Sequence, residues 1–172
     1  WESAARAMKT PYDIMAKGLA EGALTGPCEV HTEMEVVSDA QSIDVVVVPD
    51  PARVGELTSR GWLGRMGSVH CVIEAFHDPP SPELLDACQL KVTAMHMRQR
   101  AVWEGAPKDS RGEAPTRAML WVVCATRPDR AMRAWAMRPM RRWPAGFWAN
   151  ASDRAPRVVV VSALPRTPET LL

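Results

Sequence analysis

Three charged residues stand where the hydrophobic pattern leaves little room for them. Asp44 lies near the start of Ser42-Ile43-Asp44-Val45-Val46-Val47-Val48-Pro49-Asp50, whose β-branched residues read as a strand covered on both faces. Glu74 lies inside Val69 to Phe76, a second largely apolar strand, on the face shared by His70, Val72 and Phe76. Lys91 falls on the helical stripe Leu84, Cys88, Met95 and Val102. A buried carboxylate is costly unless it is paired, hydrogen-bonded or bound to a metal, and a buried ammonium is under the same constraint. The residue types therefore admit two chemistries. One is structural: Asp44 accepts backbone hydrogen bonds from the Ser38 to Ser42 turn, Glu74 pairs with Lys91 or an arginine, and Lys91 runs its charge out to the helix edge. The other is a functional site in which two carboxylates and an ammonium act on a cation or a substrate.

Other chemistries find little support. His31, His70, His77 and His96 show no H-x-x-x-H spacing and no cysteine pair, so a zinc site is not expected. Ser68, His70 and Cys71 lie close in sequence, but no third orienting group stands at a recognisable spacing. There is no G-x-S-x-G, Walker A or dinucleotide fingerprint. Cys28, Cys71, Cys88 and Cys124 are far apart, and the last three lie in apolar segments. Buried free thiols in a reducing, cytoplasmic setting are expected.

The elements that must position these residues follow from the punctuation. Thr10-Pro11-Tyr12-Asp13 is a helix start, with Ile14, Met15 and Leu19 as an apolar face, Glu21 near the last turn and an end near Gly22. Cys28 to Val37 alternates, placing Val30, Thr32, Met34 and Val36 opposite Glu29, His31, Glu33 and Glu35. With the turn Ser38 to Gln41 and the strand Ile43 to Val48 it makes an antiparallel hairpin. Pro51 to Gly67 is a packed insertion carrying Leu57, Trp62, Leu63 and Met66. Ser81-Pro82-Glu83 caps the longest helix, which runs to about Trp103. Ala118 to Thr126 is a fourth, buried strand, Pro128 to Met137 a short helix, Arg141 to Ala151 irregular, and Val158 to Val161 a fifth strand. The chain starts at Trp1 without a methionine, and 167–172 reads as a helix cut after its first turn, so a trimmed fragment is expected.

The chain has 172 residues, enough for a single domain with a sizeable core, and no apolar run long enough to span a membrane. A net charge of +1 gives no global pull on a polyanion, but six arginines and one acid lie between Arg127 and Arg142. Trp135, Trp143 and Trp148 are interleaved with them. They suit nucleic-acid contact, packing of this segment on the sheet or a dimer face, and packing is the favoured reading.

The order helix, three strands, long helix, strand, with Asp44 at the start of the second strand and Glu74 inside the third, resembles the core of the PD-(D/E)XK restriction-endonuclease-like superfamily. The likeness is greatest to its bacterial members of predicted-nuclease or transposase-associated type. It covers about residues 10–126, with 127–172 as an extension. The resemblance implies an α/β fold: a central mixed β-sheet flanked by helices in the order α-β-β-β-α-β. It implies Asp44 and Glu74 as ligands of a divalent ion, usually magnesium, with Glu21 in the place of a first-helix glutamate. The superfamily lysine two residues after the glutamate is replaced here by Phe76. In some members that lysine has moved to the following helix, where Lys91 stands, with Gln89 a weaker neighbour. The expected activity is metal-dependent hydrolysis of phosphodiester bonds in DNA, with Asp44, Glu74 and Lys91 as the catalytic set, or a degenerate descendant of it. The alternative is a non-catalytic pseudo-nuclease serving protein–protein contact or self-association. The expected partners are DNA through the Arg/Trp-rich extension, or a second copy in a homodimer, and no membrane.

Overall fold

The computed structural model describes residues 11–37, 41–57, 59–167 and 170. Helix α1 (Pro11–Leu24) leads into strand β1 (Cys28–Val37), which pairs antiparallel with β2 (Gln41–Pro49). Short helices α2 (Val54–Leu57) and α3 (Gly61–Gly67) precede β3 (Cys71–Phe76), and the long helix α4 (Pro82–Gly105) leads to β4 (Met119–Cys124). Helix α5 (Asp129–Ala134), β5 (Arg138–Pro139), β6 (Phe147–Ala149) and β7 (Arg157–Val160) follow. The expected Thr10 cap and residues 38–40 of the hairpin turn lie outside the described residues, as do the side chains of Glu33 and Glu35 and most of the helix expected over 167–172.

One mixed seven-stranded sheet runs in the order β1-β2-β3-β4-β7-β6-β5. The first three strands are mutually antiparallel, β3, β4 and β7 are parallel, and β6 and β5 return antiparallel. Alternation along the strands sorts the core into two layers. Val46, Val72, Leu120, Val122 and Val158 pack with Leu85, Cys88, Val92 and Met95 of α4 and with Ala131 and Met132 of α5. On the other face Val45, Val47, Ile73, Trp121 and Val159 pack with Ala20 and Leu24 of α1, Leu57 at the end of α2, and Leu63 and Met66 of α3. Val45 to Val47 are buried, as a strand covered on both faces requires, and Val48 emerges at its end. The expected α/β architecture, a mixed sheet with helices on both faces, is the one observed.

Several local expectations are corrected. On α1, Ile14, Met15 and Leu19 are exposed, and the sheet is met instead by Ala20 and Leu24. On α4 the buried stripe is Leu85, Cys88, Val92 and Met95, while Leu84 is 40% and Val102 72% exposed. A helix of 24 residues is about 36 Å long, whereas the six-residue strands beneath it span about 20 Å, so Val102 overruns the sheet. The third strand begins at Cys71 rather than Val69. The irregular stretch over Arg141 to Ala151 contains β6, which pairs Phe147 with Val159, and Phe147 is fully buried. Gly146 makes this approach feasible. It sits at φ 95°, and a Cβ there would stand 2.8 Å from the Val160 carbonyl oxygen. A three-residue strand between Trp-Pro and Asn-Ala is too short to show a period of two.

Trp143 packs as favoured: its ring lies 5.2 Å from Trp121 and 4.8 Å from Phe147, with Arg65 3.9 Å above it. Trp135 and Trp148 pack against the α4-side core. The six arginines from Arg127 to Arg142 are all exposed. The four cysteines are buried and free. Among the described residues no helix is long and apolar enough to cross a membrane.

Candidate functional site

The site lies where β2 and β3 part. Their ladder pairs Val47 with Cys71, Val46 with Val72 and Val45 with Ile73, and there it stops. Asp44 and Glu74 continue this register as the next opposed pair. Asp44 Oδ2 accepts the Ala75 N–H at 2.9 Å, so a side chain takes over where the strand backbone leaves off. This partner lies on β3, not in the Ser38 to Ser42 turn where the sequence suggested it. Opposed residues on adjacent strands send their side chains to the same side of the sheet, which brings the two carboxyl groups within hydrogen-bonding reach of each other.

Lys91 comes to this pair from α4. It flanks the buried stripe, and its Nζ donates to Glu74 Oε1 at 3.2 Å and to the Ser42 carbonyl at 2.9 Å. The second bond ties α4 to the start of β2. From α1, Lys17 Nζ stands 3.7 Å from Asp44 Oδ1. Helices on opposite faces of the sheet therefore each contribute one ammonium to two carboxyl groups.

Burial governs the electrostatics. Glu74 is 3% exposed, and its carboxyl is pushed up to about 7, first by burial. The Lys91 charge opposes that shift, and the Asp44 charge reinforces it. A hydrogen bond from Glu74 to Asp44 acts in the same upward direction as burial, since it requires the proton on Glu74. Glu74 thus exchanges a proton near neutrality, the range useful for acid–base work or for exchanging a proton against a metal ion. Cys88, one turn before Lys91, has its thiol pushed up to about 12 by burial and by the Glu74 and Asp44 charges, which keeps it a neutral wall of the site.

Of the residues singled out from the sequence, Asp44, Glu74 and Lys91 come together. Glu21 does not join them. It is exposed and accepts the Thr32 hydroxyl at 3.1 Å, and among the described residues no group of three or more His, Cys, Asp and Glu stands close enough to hold a metal. Lys17, one turn earlier on the same helix, takes the place expected for Glu21. The sequence carries a signal for it: Lys17, Ala20 and Leu24 form a 3-4 stripe, visible once Ile14, Met15 and Leu19 are not taken as the inner face. Phe76 is half-buried against the α4-side core, so the position two residues after Glu74 serves packing.

No protein-family model, curated protein or solved structure matches the chain.

The chemistry of the donor set is that of hard oxygen ligands. Two carboxylates suit magnesium, which is commonly held by one or two protein carboxylates with water and substrate phosphate completing its shell. Asp44 and Glu74 fit such an ion in number and type. Among the described residues no histidine extends the set to a group of three that could hold a metal. His31 pairs with Glu29, and His70 Nδ1 lies 3.3 Å from the Thr116 carbonyl oxygen.

Proposed function

We propose that the chain is a metal-dependent phosphodiesterase of the restriction-endonuclease-like kind, acting on DNA. The observation that carries this reading is the meeting of Asp44 and Glu74 at the parting of two strands, with Lys91 bonded to Glu74. The element order α1, β1, β2, β3, α4, β4, interrupted by α2 and α3 and by a single 3-10 turn at Lys108–Ser110, supports the fold side of the reading. Asp44 and Glu74 would hold magnesium, which when bound supplies Lewis-acid polarisation of a phosphate oxygen and a more acidic water. Lys91, held by Ser42 O beside Glu74, would orient that water or stabilise charge developing on phosphate. Glu74 takes up or gives up a proton near pH 7, so it would give up its proton on holding a metal ion. The exposed arginines from Arg127 to Arg142 supply positive charge for backbone phosphates without base selectivity.

The test is calorimetric titration of magnesium and manganese, paired with cleavage of plasmid and single-stranded DNA. Wild type is expected to bind metal and cleave. Asp44→Asn keeps an oxygen for the Ala75 N–H, so it should stay folded while losing metal and activity. Asp44→Ala should lose about 1–3 kcal/mol of stability as well, for the orphaned N–H. A folded wild type that neither binds metal nor cuts DNA sinks the enzyme reading.

Two observations favour a second reading, a non-catalytic interaction module. Both carboxylates already have ammonium partners, and Phe76 occupies the superfamily's lysine position. A purely structural ion pair of this kind is replaceable by apolar residues of similar size with little loss or a gain in stability. A double change Glu74→Leu with Lys91→Met that preserves every measurable interaction of the protein would establish that reading.

A further inference from the structure

Lys17 is the member of the site that neither the acid pair nor the strand pattern requires. Its ammonium lies 3.7 Å from Asp44 Oδ1, a charge contact longer than a hydrogen bond, and both side chains are largely shielded, at 15% and 20% exposure. Asp44 divides its two oxygens: Oδ2 is committed to the Ala75 N–H, and Oδ1 faces Lys17. Lys91 is engaged differently, bonded at once to Glu74 Oε1 and to the Ser42 carbonyl, and so is built into the edge of the sheet. With both acids ionised, the two carboxylates and two ammonium groups sum to zero. A divalent ion ligated by Asp44 would take Oδ1 at about 2.1 Å, the oxygen that the Lys17 ammonium faces. Two cations on one oxygen in a shielded setting repel strongly, and the one on a flexible four-carbon stem yields.

We propose that Lys17 is a built-in counter-ion that closes the Asp44 side of the site in the metal-free protein, and that a divalent cation binds by displacing it and loosening the hold of α1. This inference rests on the metal-dependent reading above. It assigns to α1 a role in setting metal affinity: the helix holds a competitor for the metal.

The experiment is titration of magnesium chloride and manganese chloride into wild type, Lys17→Met and Lys17→Arg at fixed ionic strength, with amide hydrogen exchange of Pro11–Leu24 followed with and without metal. Lys17→Met is expected to bind metal about threefold to tenfold more tightly, the range of a partly shielded ion pair, and Lys17→Arg to stay near wild type. In wild type the α1 amides should exchange faster once metal is bound. In Lys17→Met they should exchange at one rate whether or not metal is present. Unchanged or weaker binding by a folded Lys17→Met overturns the proposal while leaving the metal-dependent reading intact. Tighter binding without a metal-driven change in α1 exchange also overturns it, since that outcome is simple charge repulsion without displacement. Absence of metal binding in wild type and variant alike removes both.

Discussion

Glu74 sets the pH response of the molecule. Its carboxyl titrates near 7 when folded and near 4.5 when free. Between those values the folded state holds the proton more tightly than the unfolded chain does. The protonated carboxyl therefore favours folding at pH 5, and that advantage is lost as pH rises through about 7. A shift of this size corresponds to roughly 3–4 kcal/mol at most, at about 1.4 kcal/mol per pH unit, with the Lys91 interaction already counted against it. Glu74→Gln has no proton to lose. Urea denaturation should show it gaining on wild type between pH 5 and pH 8, by an amount approaching that limit; equal differences at both pH values would remove Glu74 as the titrating group. The acids and Lys91 were legible in the sequence because a charge inside an apolar run stands out against its neighbours. Lys17 was not, since lysine on a thinly apolar helix is the commonest of surface patterns.

The helices show how periodicity can give the right element and the wrong face. On α4 two overlapping stripes compete: both run through Cys88 and Met95, one adding Leu84 and Val102 and the other Leu85 and Val92, so their centres differ by about half of the 100° step between neighbouring residues. The sheet selects the second because it presents four apolar residues, Leu85, Cys88, Val92 and Met95, within the length that the strands cover. Leu85→Ala should therefore cost about 2–5 kcal/mol in denaturant unfolding, as for a filled core position. Val102→Ala should change stability by less than about 0.5 kcal/mol. A reversed order would restore the first stripe. On α1 the same ambiguity hid the inward 17-20-24 stripe behind the more hydrophobic but exposed Ile14, Met15 and Leu19. The strands were read more accurately, and β1 matches its expected bounds at both ends. Strong alternation fixes a face as well as an element, because a slip of one residue exchanges every side chain between core and solvent.

At the scale of the molecule, the sheet does not end with β4. Residues 127–172, expected as an appendage to a core ending near 126, add β5, β6 and β7 to the same sheet and bury Phe147, Val158, Val159 and Val160. The valine run of β7 is legible in the sequence as a strand over Val158 to Val161, but the two-residue β5 and three-residue β6 lie below the length at which sequence period speaks. Only tertiary pairing, with Gly146 admitting the close turn, makes β5 and β6 strands. The resulting interior holds one thiol in β1, one in β3, one in α4 and one in β4, at Cys28, Cys71, Cys88 and Cys124. All are buried, and all are raised above the ordinary thiol range by burial first. Together they form a clock already wired into the chain. A disulfide reagent such as dithionitrobenzoate at pH 8 cannot reach a thiolate until the part of the sheet around it opens, so each labelling rate times one opening event. If the molecule opens as one cooperative unit, all four should react with a single rate. Earlier reaction of Cys88 than of Cys71 or Cys124 would show α4 lifting from its layer while the parallel strands remain closed.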